Sequence, residues 1–556
     1  MPEKAGAPPI LAEPLLLAAI TFGPVAFASI DPWARAAQEI LIVSLVLACG
    51  LRRALDLRAP IHRTLLPAVA GILAIAAAQG LHPRAVLDHG WTLTTIAPFA
   101  TRKDLFLWAS YAALLLVVPV VIDTEARLRR LAWTLFLLGG FVAMAGIAQG
   151  GPGQASLLGL RSSVRGMRAF GPYYHYNHAA SLLAMSFLIG WGIFLSRCAV
   201  WKAGRGAAAW IDWLSEQFMV VGLMALIAYA LFLTGSRGAN FSALLGLLIV
   251  ASLSDWREKT LKVALIVAAP VFIGVGYYFH RQAGSRFDLD LMAQSAAVRG
   301  GIYRCSFKLL EEFPLGVGLG GFKSAFSSRC GEIVANGSVP HAFNDWLELG
   351  VEAGWAGALL FIGGLAAYGG HVWRIWRKRP SAQRRCLLVG FIGAAAAFLA
   401  HGFVDYNFHI VANAFVFLTI TAALSSPAFE PADAAASRVP ASSAAQAAFC
   451  VAALSFVVCA WPPISGAWYF HKAETSPLGA RANILSQALR WDPDPEYSYK
   501  TAQTYLEIQE HLPLDGRPLR EALRYADAAL SGDPLNVPFK NLRNYILWRI
   551  PPIPAR

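Results

Sequence analysis

Arginines lying beyond the apolar stretches have the most distinctive chemistry in this chain, because a guanidinium fork matches phosphate oxygens two at a time and keeps its charge beside lipid. Arg161, Arg165 and Arg168 share one polar stretch. Arg237 stands in Leu233-Thr234-Gly235-Ser236-Arg237-Gly238 at the end of an apolar run, and Arg299 and Arg304 lie in the longest polar stretch. For any one of them, snorkelling to lipid headgroups is an equal alternative. For Arg237 the small neighbours let other groups approach, which favours a functional role. Histidine is the side chain best suited to proton transfer near neutral pH. His341 sits in Pro340-His341-Ala342-Phe343-Asn344-Asp345-Trp346-Leu347-Glu348, where polar sequence turns back into apolar sequence; a His that merely caps a helix is the alternative. His401, Asp405, Asn407 and His409 form a second polar cluster at an apolar end, and the cost of polar groups at that depth points to a shared site or a buried network.

These residues must be positioned by membrane helices. The chain has 556 residues, 56% of them hydrophobic and only 15% charged, whereas soluble domains carry about a quarter charged residues. Apolar runs of spanning length recur near 10–30, 35–51, 65–80, 105–122, 131–149, 178–196, 216–234, 240–254, 263–279, 355–373, 386–403, 411–426 and 445–466. An all-α polytopic membrane protein with about 12–13 transmembrane helices is expected. Alternate loops are basic: Arg52, Arg53, Arg58 and Arg63; Arg127, Arg129 and Arg130; Arg197, Lys202 and Arg205; Arg257, Lys259 and Lys262; and a run from Arg374 to Arg385. Lys and Arg resist translocation, so these loops are assigned to the cytoplasm. Much of the +13 net charge is then topology and anionic-lipid contact, which removes the main reason to expect nucleic-acid binding. Ala26-Phe27-Ala28 looks like a signal-peptide end, but Glu13 and the following spans argue that the first span is retained.

The expected organisation is N-terminal membrane helices over 1–279, a large exported loop over 280–354, C-terminal membrane helices over 355–466 and a polar helical tail over 471–556. Two further exported stretches are 81–104 and 150–177. In the tail, Ala488-Leu489-Arg490-Trp491-Asp492-Pro493 is echoed by Ala529-Leu530-Ser531-Gly532-Asp533-Pro534, a period near that of tetratricopeptide repeats. The tail could lie on either side, since the loop before the last span holds only Arg438. Gly316-Val317-Gly318-Leu319-Gly320-Gly321 matches a dinucleotide-binding fingerprint only formally, with no strand-helix-strand unit around it; it is expected to be a tight turn against the membrane core. Asp288-Leu289-Asp290 is assigned to solvated surface. Seven cysteines without a CxxC pair argue against a metal site. Cys305 and Cys330 alone fall in the exported loop, where a disulfide and two separate thiols are both open.

With these residues in view the chain resembles the bacterial O-antigen ligase and polymerase family, in its branch with a tetratricopeptide tail. The matching stretches are Asp31-Pro32-Trp33-Ala34, Asn177-His178-Ala179-Ala180, Thr234 to Gly238, Pro314 to Gly320, His341 to Gly357 and His401 to His409; each is weak alone, and their order makes the match specific. The resemblance implies a helical membrane glycosyltransferase in the inner membrane with its active site facing the periplasm. Its donor would be a glycan on undecaprenyl diphosphate, its acceptor a glycan or lipid A core, and it would use no cofactor and no metal. Arg237 and Arg299 would grip the diphosphate and His341 would act as general base, with inversion at the sugar carbon. Arg161, Arg165, Arg168, His178, Arg304, Asn344, His401 and Asp405 would serve substrate binding. The family often carries a second His where this chain has Phe343, which leaves the base assignment open to His178 or the His401 cluster, and its aromatic after Arg299 is shifted to Tyr303. The tail would dock envelope polysaccharide-assembly proteins. Transfer to protein is a variant of the same chemistry. A transporter of lipid-linked glycan would show paired broken repeats, and a scaffold would not need Arg and His gathered on one membrane face.

Overall fold

The computed structural model describes residues 8–57, 59–84, 90, 92–151, 156–158, 161–162, 168–199, 207–254, 289–333, 339–378, 380–429, 441–512 and 516–550. The run at 263–279, Arg165 and Asp288 lie outside them, as do the side chains of Arg161 and Asp290. The chain begins with α1 (Ala12–Val25), α2 (Pro32–Leu51), the single turn α3 (Pro60–Arg63), α4 (Leu65–Gly80), α5 (Pro98–Val121) and α6 (Glu125–Ala148). A two-residue antiparallel pairing of Ser156–Leu157 with Arg161–Ser162 follows. Next come α7 (Tyr176–Cys198), α8 (Ala207–Thr234), α9 (Arg237–Leu253), α10 (Leu289–Glu312), α11 (Phe322–Cys330), α12 (Asp345–Arg377), α13 (Ala382–His401) and α14 (Val411–Ala423). The chain continues through α15 (Ser443–Ala460), α16 (Pro462–Glu474), α17 (Leu478–Trp491), α18 (Pro495–His511), α19 (Arg517–Gly532) and α20 (Val537–Arg549).

Among the described residues, eight helical stretches are long and apolar enough to cross a membrane, and α1, α4, α9 and α14 are shorter apolar helices. Between them they account for every expected run except 263–279. The protein is an all-α polytopic membrane protein. Lipid offers no hydrophobic force between helices, so close packing of small residues holds such bundles together. The enclosed helix α7 shows it: a Cβ at Gly390 of α13 would lie 2.7 Å from Gly192 Cα of α7.

Polar contacts gather the basic segments before α6 and between α12 and α13 with the end of α9 at one end. Arg384 donates to Glu125 (2.8 Å), Arg129 to Gln383 (2.8 Å) and the Trp376 indole to the Leu253 carbonyl (2.9 Å). Arg130 grips Glu13 through two nitrogens at 2.6 and 2.7 Å. Glu13 therefore sits at the basic end of α1 with the partner charge that its burial demands.

The opposite end is built around a break in α12. Gly354 has φ 71° and ψ −179°, a conformation essentially confined to glycine. The glycine-rich turn packs into this break: Val317 and Gly318 amides donate to Val351 and Glu352 carbonyls at 3.0 Å, and the Trp355 amide donates to Pro314. A Cβ on Gly316 would come within 2.2 Å of the Glu352 carbonyl oxygen, so these glycines serve backbone-on-backbone packing, the tight turn expected of them. Beneath it, Ile302, Leu309, Phe313, Phe322, Phe326 and Val351 belong to a separate hydrophobic core. Cys305 and Cys330 are joined as a disulfide between α10 and α11.

The tail folds as helical hairpins, α17 on α18 and α19 on α20, and the two echoed stretches end α17 and α19. It rests on the end opposite the basic loops. Lys103 reaches Asp494 at 3.3 Å, Ser324 donates to Asp533 at 2.7 Å, and Leu535 enters the core of the large loop.

Candidate active site

Asn344 starts α12: its side-chain oxygen accepts from the Trp346 and Leu347 amides, both at 3.1 Å. Three carboxylates, Asp345, Glu348 and Glu352, then recur at the spacing that puts them on one helix face. All three are buried, and the chain places imidazoles against them. His341, just upstream of the cap, donates or accepts through Nδ1 to Glu348 Oε1 at 2.7 Å, and the other Glu348 oxygen accepts the Ala342 amide at 2.7 Å. The His341 side chain keeps 27% of its surface exposed while that of Glu348 keeps 1%, so the pair is anchored inside and reachable from outside. His409, from the 3₁₀ turn between α13 and α14, lies 3.4 Å from Glu348, 3.6 Å from Asp345 and 4.0 Å from Glu352. Burial alone would lower its proton affinity, but the three carboxylates, Glu348 foremost, push it up to about 10. Donor atoms of His341, Glu348 and His409 fall within 4.8 Å of one another. The 2.7 Å contact between His341 and Glu348 is the spacing of a hydrogen bond.

Tyr406 separates this group from the other polar cluster. Its ring stacks on His341 at 4.2 Å and meets His178 edge-on at 4.9 Å. Behind it Asp405 lies between His178 (3.7 Å) and His401 (3.6 Å). Burial would raise the Asp405 carboxyl, but the two imidazoles and the Tyr406 amide hold it well below the usual carboxylate range. His401 bonds Asn407, which accepts from Asn413, which in turn accepts from Tyr173. His175 lies 5.2 Å from His178, ring to ring; burial and that neighbour hold it down at about 4. A single aromatic ring thus connects both of the polar groups singled out in the sequence.

The arginines arrive from separate elements. Arg299 of α10 lies over the Phe343 ring, 5.5 Å from its centroid. One turn on, the Tyr303 hydroxyl donates to the Phe343 carbonyl at 2.9 Å, which braces Phe343 at its positive φ of 52°. Phe343 itself meets Tyr406 edge-on at 5.3 Å. Arg237 is exposed at the first turn of α9, after Gly235 at φ 69° and the Ser236 cap. Its neighbour Gly238 packs on the other cluster, where a Cβ would lie 2.7 Å from Val404 Cγ2 and 3.1 Å from His401 Cδ2. Arg168 is exposed, and its charge is felt at His175. Arg304 is exposed and bonds the Gly300 carbonyl of its own helix, so it stands apart from the cluster.

Residues 222–362 match the O-antigen ligase family. That stretch is similar to an O-antigen ligase domain. It contains Arg237, Arg299, His341 and the α12 carboxylates, while His178, His401, Asp405 and His409 come to the same place from outside it. No curated protein matches the chain. The chain is a multi-pass membrane protein. Glu348, Glu352 and Tyr406 went unremarked in the sequence. The i, i+3, i+7 acidic stripe at the start of α12 was the signal that could have found the first two.

Proposed function

We propose that the protein is a glycosyltransferase that moves a glycan from undecaprenyl diphosphate to an acceptor hydroxyl at the periplasmic face of the bacterial inner membrane, without a metal ion. The His341–Glu348 pair carries this proposal: a buried carboxylate fixes Nδ1 of an imidazole whose edge remains accessible, with a guanidinium close by. With Nδ1–H directed at Glu348, Nε2 keeps a lone pair for the acceptor O–H. The acceptor oxygen then attacks the sugar carbon from the side opposite the diphosphate, its proton passes to Nε2, and the bond from carbon to diphosphate oxygen breaks with its electrons on that oxygen. The result is inversion.

Arg299 and Arg237 supply positive charge where negative charge grows on the leaving group. Arg237 occupies the first turn of α9, the positive end of a helix dipole, a place that disfavours a cation unless an anion joins it. Arg161, Arg165 and Arg168 would extend the anion-binding surface, and the Asp405 network would hold the mouth of the site in shape. The basic loops at the far end support a cytoplasmic assignment for that end, and with it a periplasmic His341 and tail. There the tail's hairpins are available to envelope polysaccharide-assembly proteins.

The test is transfer in vitro from undecaprenyl-diphosphate glycan with EDTA present, using wild type, Arg237→Ala and His341→Ala. Lipid A core, a second glycan and a pilin-type protein would be offered in parallel as acceptors, which separates ligase, polymerase and protein-glycosylating activity. Metal-independent product from wild type, lost in both variants, is expected. Retention of activity in His341→Ala would move the base elsewhere, and loss of wild-type activity in EDTA would reinstate a metal.

A further inference from the structure

The proposed reaction needs a base that is unprotonated when the acceptor arrives, yet His341 touches a buried carboxylate, and a neighbouring negative charge favours the protonated ring. His409 occupies the other side of the same carboxylate. Its ring centroid is 4.7 Å from that of His341, and its Nε2 is 3.4 Å from the Glu348 oxygen that His341 contacts. The same ring also reaches Asp345 and Glu352. One imidazole therefore stands against the entire acidic stripe of α12 and against the proposed base.

We propose that His409 is a positioning residue for the transfer reaction, set against the α12 carboxylates beside His341 so that His341 remains available as the base. The inference rests on the proposed function for its chemistry and on the geometry for its physical content. With an affinity raised to about 10 by the three carboxylates, His409 is an imidazolium at neutral pH. A fixed cation less than 5 Å from His341 opposes a second positive charge there and offsets the pull of Glu348. Two imidazoles on one carboxylate thus divide the work: one holds a proton permanently and the other exchanges it.

Other charged groups around the pair set the background. From α5, Asp104 lies close enough to Glu352 to influence it, and the Tyr111 hydroxyl donates to the carbonyl of Phe408, next to His409. From α10, Arg299 sits across Phe343. From the turn before α14, Tyr406 covers His341 and Asp405 lies behind it between His178 and His401. None of them contacts both His341 and Glu348 as His409 does.

The decisive measurement is the titration of His341 itself in full-length protein in nanodiscs, by NMR of labelled histidine, with its signal identified by its loss in His341→Gln. In His409→Gln the His341 midpoint should rise by at least about one pH unit, a tenfold gain in proton affinity. In the transfer assay the acid limb of the rate profile should move up by the same amount, with activity recovering at alkaline pH, and His409→Lys should return both toward wild type. A His341 midpoint that is unchanged or lowered in a folded His409→Gln would overturn the proposal, as would equal loss of rate at every pH. If wild type transfers no glycan, the proposed function fails while the titration still decides the role of His409.

Discussion

Asn344 and Glu348 lie within two turns of each other at the head of α12, and their environments give them different work. Asn344 Oδ1 accepts two amides at the helix start, so its first duty is capping. Asn344→Ala is expected to cost about 1 kcal/mol of stability, read as a lower melting temperature in detergent, with the acid limb of the rate profile unmoved. A shift in that limb would instead bring Asn344 into the proton chemistry. Glu348 differs in being almost fully enclosed and in sharing its oxygens among His341, the Ala342 amide and His409. The i, i+3, i+7 spacing of Asp345, Glu348 and Glu352 carried the signal of an acidic face on this segment, although only His341 and Asn344 drew notice there. Which imidazole would meet that face was not legible, because His409 reaches it only through the turn that joins α13 to α14.

At the scale of elements, the site depends on α12 being two helices joined at Gly354. The carboxylates belong to the first piece, and the glycine-rich turn is fitted into the joint so closely that a Cβ on Gly354 would lie 2.4 Å from the Pro314 carbonyl oxygen. Gly354→Ala combines that clash with a backbone conformation that costs about 1–3 kcal/mol for other residues. The variant should unfold at lower temperature than wild type and lose transfer activity; one that matches wild type in both would show that the break is not required. The Gly-rich motif was readable as a turn, since no strand-helix-strand unit surrounds it. Its partner was not, because nothing in a run of apolar residues marks where a helix will break until another segment claims its carbonyls.

Across the whole molecule, the large loop and the tail form one structure at the end away from the basic loops. Leu535 is buried among loop residues and Ser324 bonds Asp533. Leu535→Asp should release the tail, exposing its joints at 492–494 and 533–536 to limited proteolysis, while the membrane helices stay resistant. An unchanged cleavage pattern would mean that the seam does not hold the tail. Spans, basic loops and the helical character of the tail could all be read from the sequence, because membrane thickness and the cost of moving a charge across it act along the chain, residue by residue. The partners of His178, Asp405, His401 and His409, the choice of disulfide over separate thiols and the segments on which the tail packs were decided only in three dimensions. Each depends on how helices from distant parts of the chain cross at close quarters, as at Gly192 and Gly390, and on buried polar groups finding partners once those crossings are set.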